Sequence, residues 1–456
     1  MAVSPVAASD LDDAPFTCGT VDLLKEDPGA RGVLPCFHTL ANVVESEHFS
    51  VQWDTAGGTT ESAAQFLLDN LEGTRLVFLD AGYAQPAGNP DYKVPFYLGN
   101  SGPNAPGINF SGGYTTTCAS NQHAYVVLSG IEASNGTADV SNHELFHAVQ
   151  MGSPEPWGVE GFYWESSATW AEELAAPELN IYQWFLPYYT SHTQWALDYQ
   201  GGDTDGFLHP YAMFILPMYI SESAPSGPEA LLNVWNGSGG GIQERLENAW
   251  RATAVDTSFE EQFGIFTTHV SVMDFVDQAT YNPYRVAPRA VVEPPETIEE
   301  GAPQWYGSHF FRVDPGADDI EAGRTKLRLT FSSEQTDWAI AINRSPDGNT
   351  ANPTVVLADE DGSASVSVID VGTLYEETWV IVSNTRRENE DYTLDIELVE
   401  QTEAPGSDLE PPGDDDGPNR PGAGCKGPSG HPFSFPGFGV AFVALLLLPL
   451  SIRRFR

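Results

Sequence analysis

The chain has 456 residues, 41% of them hydrophobic and 11% aromatic, with 20 Lys and Arg against 64 Asp and Glu for a net charge of −44. That length calls for more than one folded unit, and the apolar and aromatic content excludes disorder over most of it. A field so negative repels nucleic-acid phosphates and anionic headgroups, so nucleic acid is not an expected partner, and the excess of acid suits an extracellular or salty setting.

The start, MAVSPVAASDLDDAP, lacks a basic region and a long apolar run, yet VAA followed by SD resembles a small-residue cleavage site. Residues 1–14 are therefore expected to be the remnant of an export signal or a disordered N-terminus, with Met1 inside a longer signal. Cys18, Cys36, Cys118 and Cys425 form no CxxC pair, which excludes a cysteine zinc site or a thioredoxin-type motif. Cys18 and Cys36 either bridge, closing a loop worth roughly 3 kcal/mol on the chain-entropy model, or stay as two buried thiols. Residues 1–48 are short for an inhibitory pro-segment, so the chain is expected to be active as synthesised.

FSVQWD at 49–54 alternates as a strand, and ESAAQFLLDNL at 61–71 is predicted as a helix with Ala64, Phe66, Leu67 and Leu71 on one face. YKVPFYLG, GYTTTC and HAYVVLSG, starting at 92, 113 and 123, are rich in β-branched and aromatic residues and read as strands. From 140 to about 280 the pattern turns helical, with YAMFILPMYISE read as one helix. Proline-rich VAPRAVVEPPETIEEGAP then separates this unit from seven short alternating strands that read as a β-sandwich. The boundaries are a domain over 15–290, a linker at 291–303, a sandwich at 304–400 and an acidic Pro/Gly linker at 401–424. The tail at 425–456 holds Cys425, an apolar run at 436–452 and the basic end RRFR. The apolar run is at the lower limit for a membrane-spanning helix.

The chemistry sits in NHELFHAVQ. His143 and His147 are four apart on a helix, so their imidazoles face one ion, and zinc suits such ligands. Glu144 is turned about 100° around the axis, where it reaches a water rather than the metal. A catalytic zinc takes a third protein ligand. Glu165 in FYWESSATWAEE is the candidate, with Glu172 and Glu173 as competitors.

HELFH followed by a glutamate in an E-x-x-A context resembles the gluzincin metallopeptidases, which include thermolysin and the zinc aminopeptidases. Across residues 15–290 the layout also resembles, more loosely, uncharacterised metalloproteases of myxobacteria. The resemblance implies an α+β, zincin-like domain that binds Zn2+ through His143, His147 and Glu165. It implies Glu144 as general base and a protein or peptide as substrate. It also implies a His or Tyr from a downstream helix as oxyanion donor, for which His209 and Tyr211 are the candidates; a core tyrosine is the bland reading of Tyr211. Thr169 stands where that family has an acidic partner for a histidine, and Glu172 is the expected substitute. In zincins an edge strand pairs with extended substrate, and GYTTTC is the candidate, although a β-branched strand also makes an ordinary sheet edge.

The sandwich looks like the pre-peptidase C-terminal modules of secreted proteases, and the tail resembles the MYXO-CTERM type of sorting signal, with a plain membrane anchor as the alternative. Together they imply export, handling by sorting machinery and attachment at the cell surface or outer membrane through the C-terminal segment. The expected function is a surface-attached zinc endopeptidase. An aminopeptidase would need a GxMEN-like run, which is absent. The other alternative is a surface adhesin with a non-catalytic zinc, in which Glu144 would have no use.

Overall fold

Short apolar runs bounded by turn residues assemble a six-stranded mixed sheet from β1 (Thr17–Cys18), β2 (Asn42–Glu45), β3 (Phe49–Trp53), β4 (Val94–Leu98), β5 (Gly112–Thr117) and β6 (Ala124–Leu128). The structure, a computed structural model, describes residues 17–18 (backbone), 40–54, 59–98, 112–117, 123–128, 135–156, 159–237, 240–252, 257–387 and 390–405. The strand order is β1-β5-β6-β4-β3-β2. β3, β4 and β6 run parallel at the centre, β2 and β5 antiparallel to their inner neighbours, and β1 parallel to β5. VPFYL and AYVVL are buried along their whole length, which is why they read as continuous apolar runs rather than alternating ones.

Helix α1 (Glu61–Asp80) is capped by Thr60, whose hydroxyl accepts from the Ala63 amide at 3.2 Å. Its buried stripe runs through Ala64, Leu68, Leu71, Arg75 and Phe78. Phe66, expected on that face, is 45% exposed. Two residues from Ala64 is about 200° of rotation, so the two side chains point to opposite sides.

The helical half comprises α2 (Asn135–Met151), α3 (Gly161–Ala175), α4 (Leu186–Thr190), α5 (Thr204–Ala212), α6 (Ile215–Ser223), α7 (Glu229–Asn236), α8 (Ile242–Arg251), α9 (Phe259–Val272) and α10 (Gln278–Tyr281). The stretch expected as one helix, YAMFILPMYISE, is broken between α5 and α6. Pro217 has no N–H to give, so it is accommodated in the first turn of a new helix.

The sandwich contains β7 (Ala290–Val292), β8 (Glu296–Glu300), β9 (Ser308–Val313), the short α11 (Ala317–Glu321), β10 (Lys326–Ser333), β11 (Trp338–Ser345), β12 (Pro353–Leu357), β13 (Ser363–Val368), β14 (Glu377–Asn384) and β15 (Tyr392–Val399). Its sheets have the orders β13-β10-β15-β8 and β12-β11-β14-β9-β7. Residues 291–303, expected as a linker, therefore supply β8 and most of β7. Both are edge strands, the place in a sheet where proline is tolerated.

β11 is buried along its whole length. Trp338, Ile340 and Ile342 enter the sandwich core, while Ala341 joins the core of the helical half together with Phe310, Trp379 and Ile381. Helix α9 lies against this face. A side chain at Gly264 would meet Val355 at 2.7 Å, and the Asn343 amide donates to the Thr268 carbonyl and to Ser271 Oγ. The described chain does not divide at 291–303; both halves belong to one compact unit.

Among the described residues no helix is long and apolar enough to cross a membrane. The expectations for residues 1–14, the Cys18–Cys36 pairing and the tail at 425–456 fall outside the described side chains.

Candidate metal centre

Helix α2 is fixed to α1 before any ligand is considered. Asn142 Oδ1 accepts from Asn70 Nδ2 and Thr74 Oγ1, each at 2.8 Å. One residue on, about 100° around the helix, His143 with His147 one turn later meets the glutamates of α3. The Ser166, Ser167 and Ala168 stretch of α3 is fully buried, and these small residues let the two helices approach.

Glu165 stands between the two imidazoles. Its Oε2 lies 3.1 Å from His143 Nε2 and 3.4 Å from His147 Nε2. The three groups form one buried cluster whose donor atoms lie within 4.8 Å of one another, a set that can hold a metal ion. The other nitrogen of each ring is held from behind. Glu172 Oε1 is 2.7 Å from His143 Nδ1, and Gln150 Oε1 is 2.6 Å from His147 Nδ1. Gln150 in turn donates to the Trp164 carbonyl and to Ser167 Oγ, both at 3.0 Å. Outer partners of this kind fix the tautomer so that Nε2 offers its lone pair inward.

The electrostatics favour a cation. Asp139, Glu144, Glu165 and Glu172 bring four carboxyl groups against two imidazoles in one buried region. Burial pushes Glu165 up, yet the charges and hydrogen bonds of His147 and His143 hold it down at about 2. Burial pushes His143 down, and the hydrogen bond and charge of Glu165, with Glu144 and Asp139 nearby, more than reverse this. Burial pushes both Asp139 and Glu172, which hydrogen-bond each other, well above the carboxylate range. Glu165 Oε1 is buried with no hydrogen-bond partner among the described residues. A buried carboxylate oxygen left in that state is costly, and an ion between the histidines would satisfy it. Two imidazoles and a carboxylate are a donor set that suits zinc.

Glu144 is fully buried on the β5 side of α2. Its Oε2 lies 2.7 Å from Thr115 Oγ1, which is also 2.8 Å from the Glu144 carbonyl. The hydroxyl has one proton, so it donates to one of the two at a time. Gly113, on the same face of β5, leaves room for this. A Cβ there would meet Glu144 Cγ at 2.9 Å.

The downstream candidates separate. Tyr211 on α5 stacks on His143, with ring centroids 5.9 Å apart and planes 20° from parallel, and Phe185 stacks on Tyr211 with centroids 5.1 Å apart. His209, expected beside it as an oxyanion donor, is turned elsewhere. Its Nδ1 and Nε2 each lie 3.1 Å from a backbone carbonyl, of Tyr188 and Ala196, and burial pushes its pKa down to about 4. It ties the 188–196 segment to α5 rather than serving the cluster. Of the competing ligands, Glu172 faces Nδ1 rather than Nε2, and Glu173 interacts with Tyr182 and Asp277.

Sequence reasoning missed Asp139, Gln150 and Thr115. Asp139 is one turn before His143 and Gln150 three residues after His147, so the helical spacing that exposed the ligands also marks these. Thr115 carries no such signal, being 29 residues from Glu144 on a different element.

No protein-family description matches the chain, and no curated protein is similar to it in sequence. Among solved structures it has a partial likeness to the pre-peptidase C-terminal domain of a collagenase from Bacillus anthracis, at 9% identity and a TM-score of 0.18, covering 24% of this chain and 97% of that one. The mitogen of Yersinia pseudotuberculosis matches 24% of this chain and 92% of its own at 17% identity and a TM-score of 0.18. A periplasmic inhibitor of g-type lysozyme from Aeromonas hydrophila matches 25% and 100% at 11% and 0.16. Scores this low carry no argument about function.

Proposed function

We propose that this chain is a zinc-dependent peptidase, exported and held at the cell surface, that hydrolyses peptide bonds in proteins or peptides. The observation that carries the reading is the convergence of His143 Nε2, His147 Nε2 and Glu165 Oε2, with Glu144 one residue from the first ligand. A carboxylate beside the ligands but outside the set is what hydrolysis needs and what a structural ion does not.

His143, His147 and Glu165 would hold the zinc. Bound there, the ion supplies Lewis acidity, polarising a carbonyl and bringing the pKa of a water toward ~7. Glu144 takes the proton of the attacking water and delivers it to the departing amine. Thr115 holds Glu144 in place through its hydroxyl. Tyr211, stacked against His143, is the candidate donor to the oxyanion that develops on the scissile carbonyl. Export and surface attachment rest on the order of parts in the C-terminal tail, with the sandwich as accessory module.

The test is metal analysis of the full-length protein with cleavage of an unfolded protein, each with and without chelator and for Glu144→Gln. The expected result is one zinc per chain, cleavage lost on chelation and restored by zinc, and a Glu144→Gln chain that keeps its metal but does not cleave. Stoichiometric zinc with no cleavage by the parent chain would overturn the peptidase reading in favour of a surface binding protein.

A further inference from the structure

Tyr211 does not stand against His143 alone. Its other stacking partner, Phe185, closes the 3-10 turn Ile181–Phe185. Whatever holds that turn therefore sets how the tyrosine is seated on the imidazole. A 3-10 turn of five residues is longer than such turns usually run, so its side-chain anchors decide whether it stays formed.

The anchor is Tyr182. It is 1% exposed and edge-on to Phe214, with ring centroids 4.9 Å apart. Its hydroxyl lies 3.0 Å from that of Tyr281 and 3.1 Å from Asn180 Oδ1. The same hydroxyl bonds Glu173 near the end of α3, and Glu173 bonds Asp277 at the entry to α10. Tyr182 thus bridges two sides, α3 through Glu173 and α10 through Tyr281. Those sides are themselves joined by two carboxyl groups, which bond each other only while one of them carries a proton. Ionised together at that range they repel, and a single hydroxyl cannot keep to both sides as they part.

The groups facing Glu173 offer it no compensating cation. They are Tyr182 from the turn, Glu178 from the loop after α3, Asp277 and Tyr281 from α10, and Glu222 from α6. Asp274 acts on Glu222 in turn, and His269 of α9 lies 3.8 Å from Asp274. Burial, with Asp277 and Glu178 adding to it, holds the Glu173 carboxyl up at about 7. Burial and the charges of Asp277, Asp274 and Glu173 raise Glu222 to about 8. A carboxyl raised in this way favours the closed arrangement fully below its ordinary value of 4.5 and loses that contribution as pH rises through about 7.

We propose that Phe185 is a positioning residue for Tyr211 and that the contact of Glu173 with Asp277 latches the turn that carries it, so that the seating of Tyr211 against His143 depends on a proton held outside the metal centre. The effect on turnover rests on the peptidase reading; the latch itself can be tested without turnover.

Amide exchange of Ile181–Phe185 is measured at about pH 6 and about pH 8 in the full-length, zinc-loaded parent, in Glu173→Gln and in Asp277→Asn. Either amide donates across the pair without a titrating proton, so both variants stay closed at both pH values. Taken as a ratio to each variant at the same pH, which cancels the intrinsic pH dependence, exchange in the parent should rise about tenfold over that interval. A ratio that stays level against both variants would overturn the latch. The parent's kcat on an unfolded protein should fall over the same interval relative to Glu173→Gln, with KM little changed. Phe185→Ala should lower kcat about tenfold or more, Phe185→Tyr should restore it, and in a Tyr211→Phe background Phe185→Ala should cost nothing further. An undiminished loss in that background would overturn the positioning role. A turn that opens with pH in a chain that never cleaves keeps the latch and sinks the peptidase reading, whereas cleavage with level exchange does the reverse.

Discussion

The two cores are built on opposite terms. Around α2 and α3 the chain buries Asp139, His143, Glu144, His147, Gln150, Glu165 and Glu172 almost completely. Between the sheets of the sandwich it buries Val292, Phe311, Leu327, Leu329, Trp338, Ile340, Ile342, Val380, Leu394 and their neighbours. The second core needs nothing but its own packing. The first is a network in which each imidazole is held from behind and the carboxylate at the centre lacks a partner on one oxygen, a state that is costly without a cation. The difference shows where the molecule accepts a stability cost, one that a bound cation would offset.

The sharpest way to break the comparison is at Glu144. Replacing it by Gln should reduce kcat on an unfolded protein substrate by roughly 10²- to 10⁴-fold, the usual contribution of a general base, with zinc content unchanged by metal analysis. A polar core that lost its metal from this change would show Glu144 to be a ligand. Next come the groups behind the rings. Glu172→Ala or Gln150→Ala should weaken zinc binding by about 10- to 100-fold in a competitive chelator titration, while Glu165→Ala should remove it.

Metal removal should touch one core and not the other. Zinc at a hundred times its Kd should add about 2.7 kcal/mol to unfolding, visible as a higher Tm. In the sandwich, Ile340→Ala should cost roughly 2–5 kcal/mol and leave zinc affinity unaltered. The smallest effect is at His309, 2.9 Å from the Tyr392 hydroxyl in the sandwich. Burial, helped by the charge of Arg289, pushes its pKa down to about 4. A base depressed in this way favours the fold fully above its unfolded value of about 6.5 and loses that contribution as pH falls toward the folded value. His309→Gln should therefore flatten the drop in Tm over that interval.

The features legible in the sequence were those with local period. His143, Glu144 and His147 declare their helix by spacing, and the small residues after Glu165 mark a close helix contact. Most strands of the three sheets follow from alternation or apolar runs bounded by turns. Illegible were the relations between distant segments: Thr115 holding Glu144, β1 reaching the edge of β5, and a proline-rich stretch that pairs because it sits at sheet edges. His209 and Tyr211 were indistinguishable as letters two apart on one helix. A separation of 200° sends one to two backbone carbonyls and the other against His143.

Gly264 and the alanine and asparagine row of β11 carry one more consequence. A module that met its neighbour through water could be exchanged, duplicated or lost between related proteins as a portable cassette. This sandwich meets α9 backbone to side chain, with its outer face sharing the interior of the helical half. Severed near residue 290, each piece would present a sticky apolar wall to solvent, so the two halves are expected to stay soluble only as a pair.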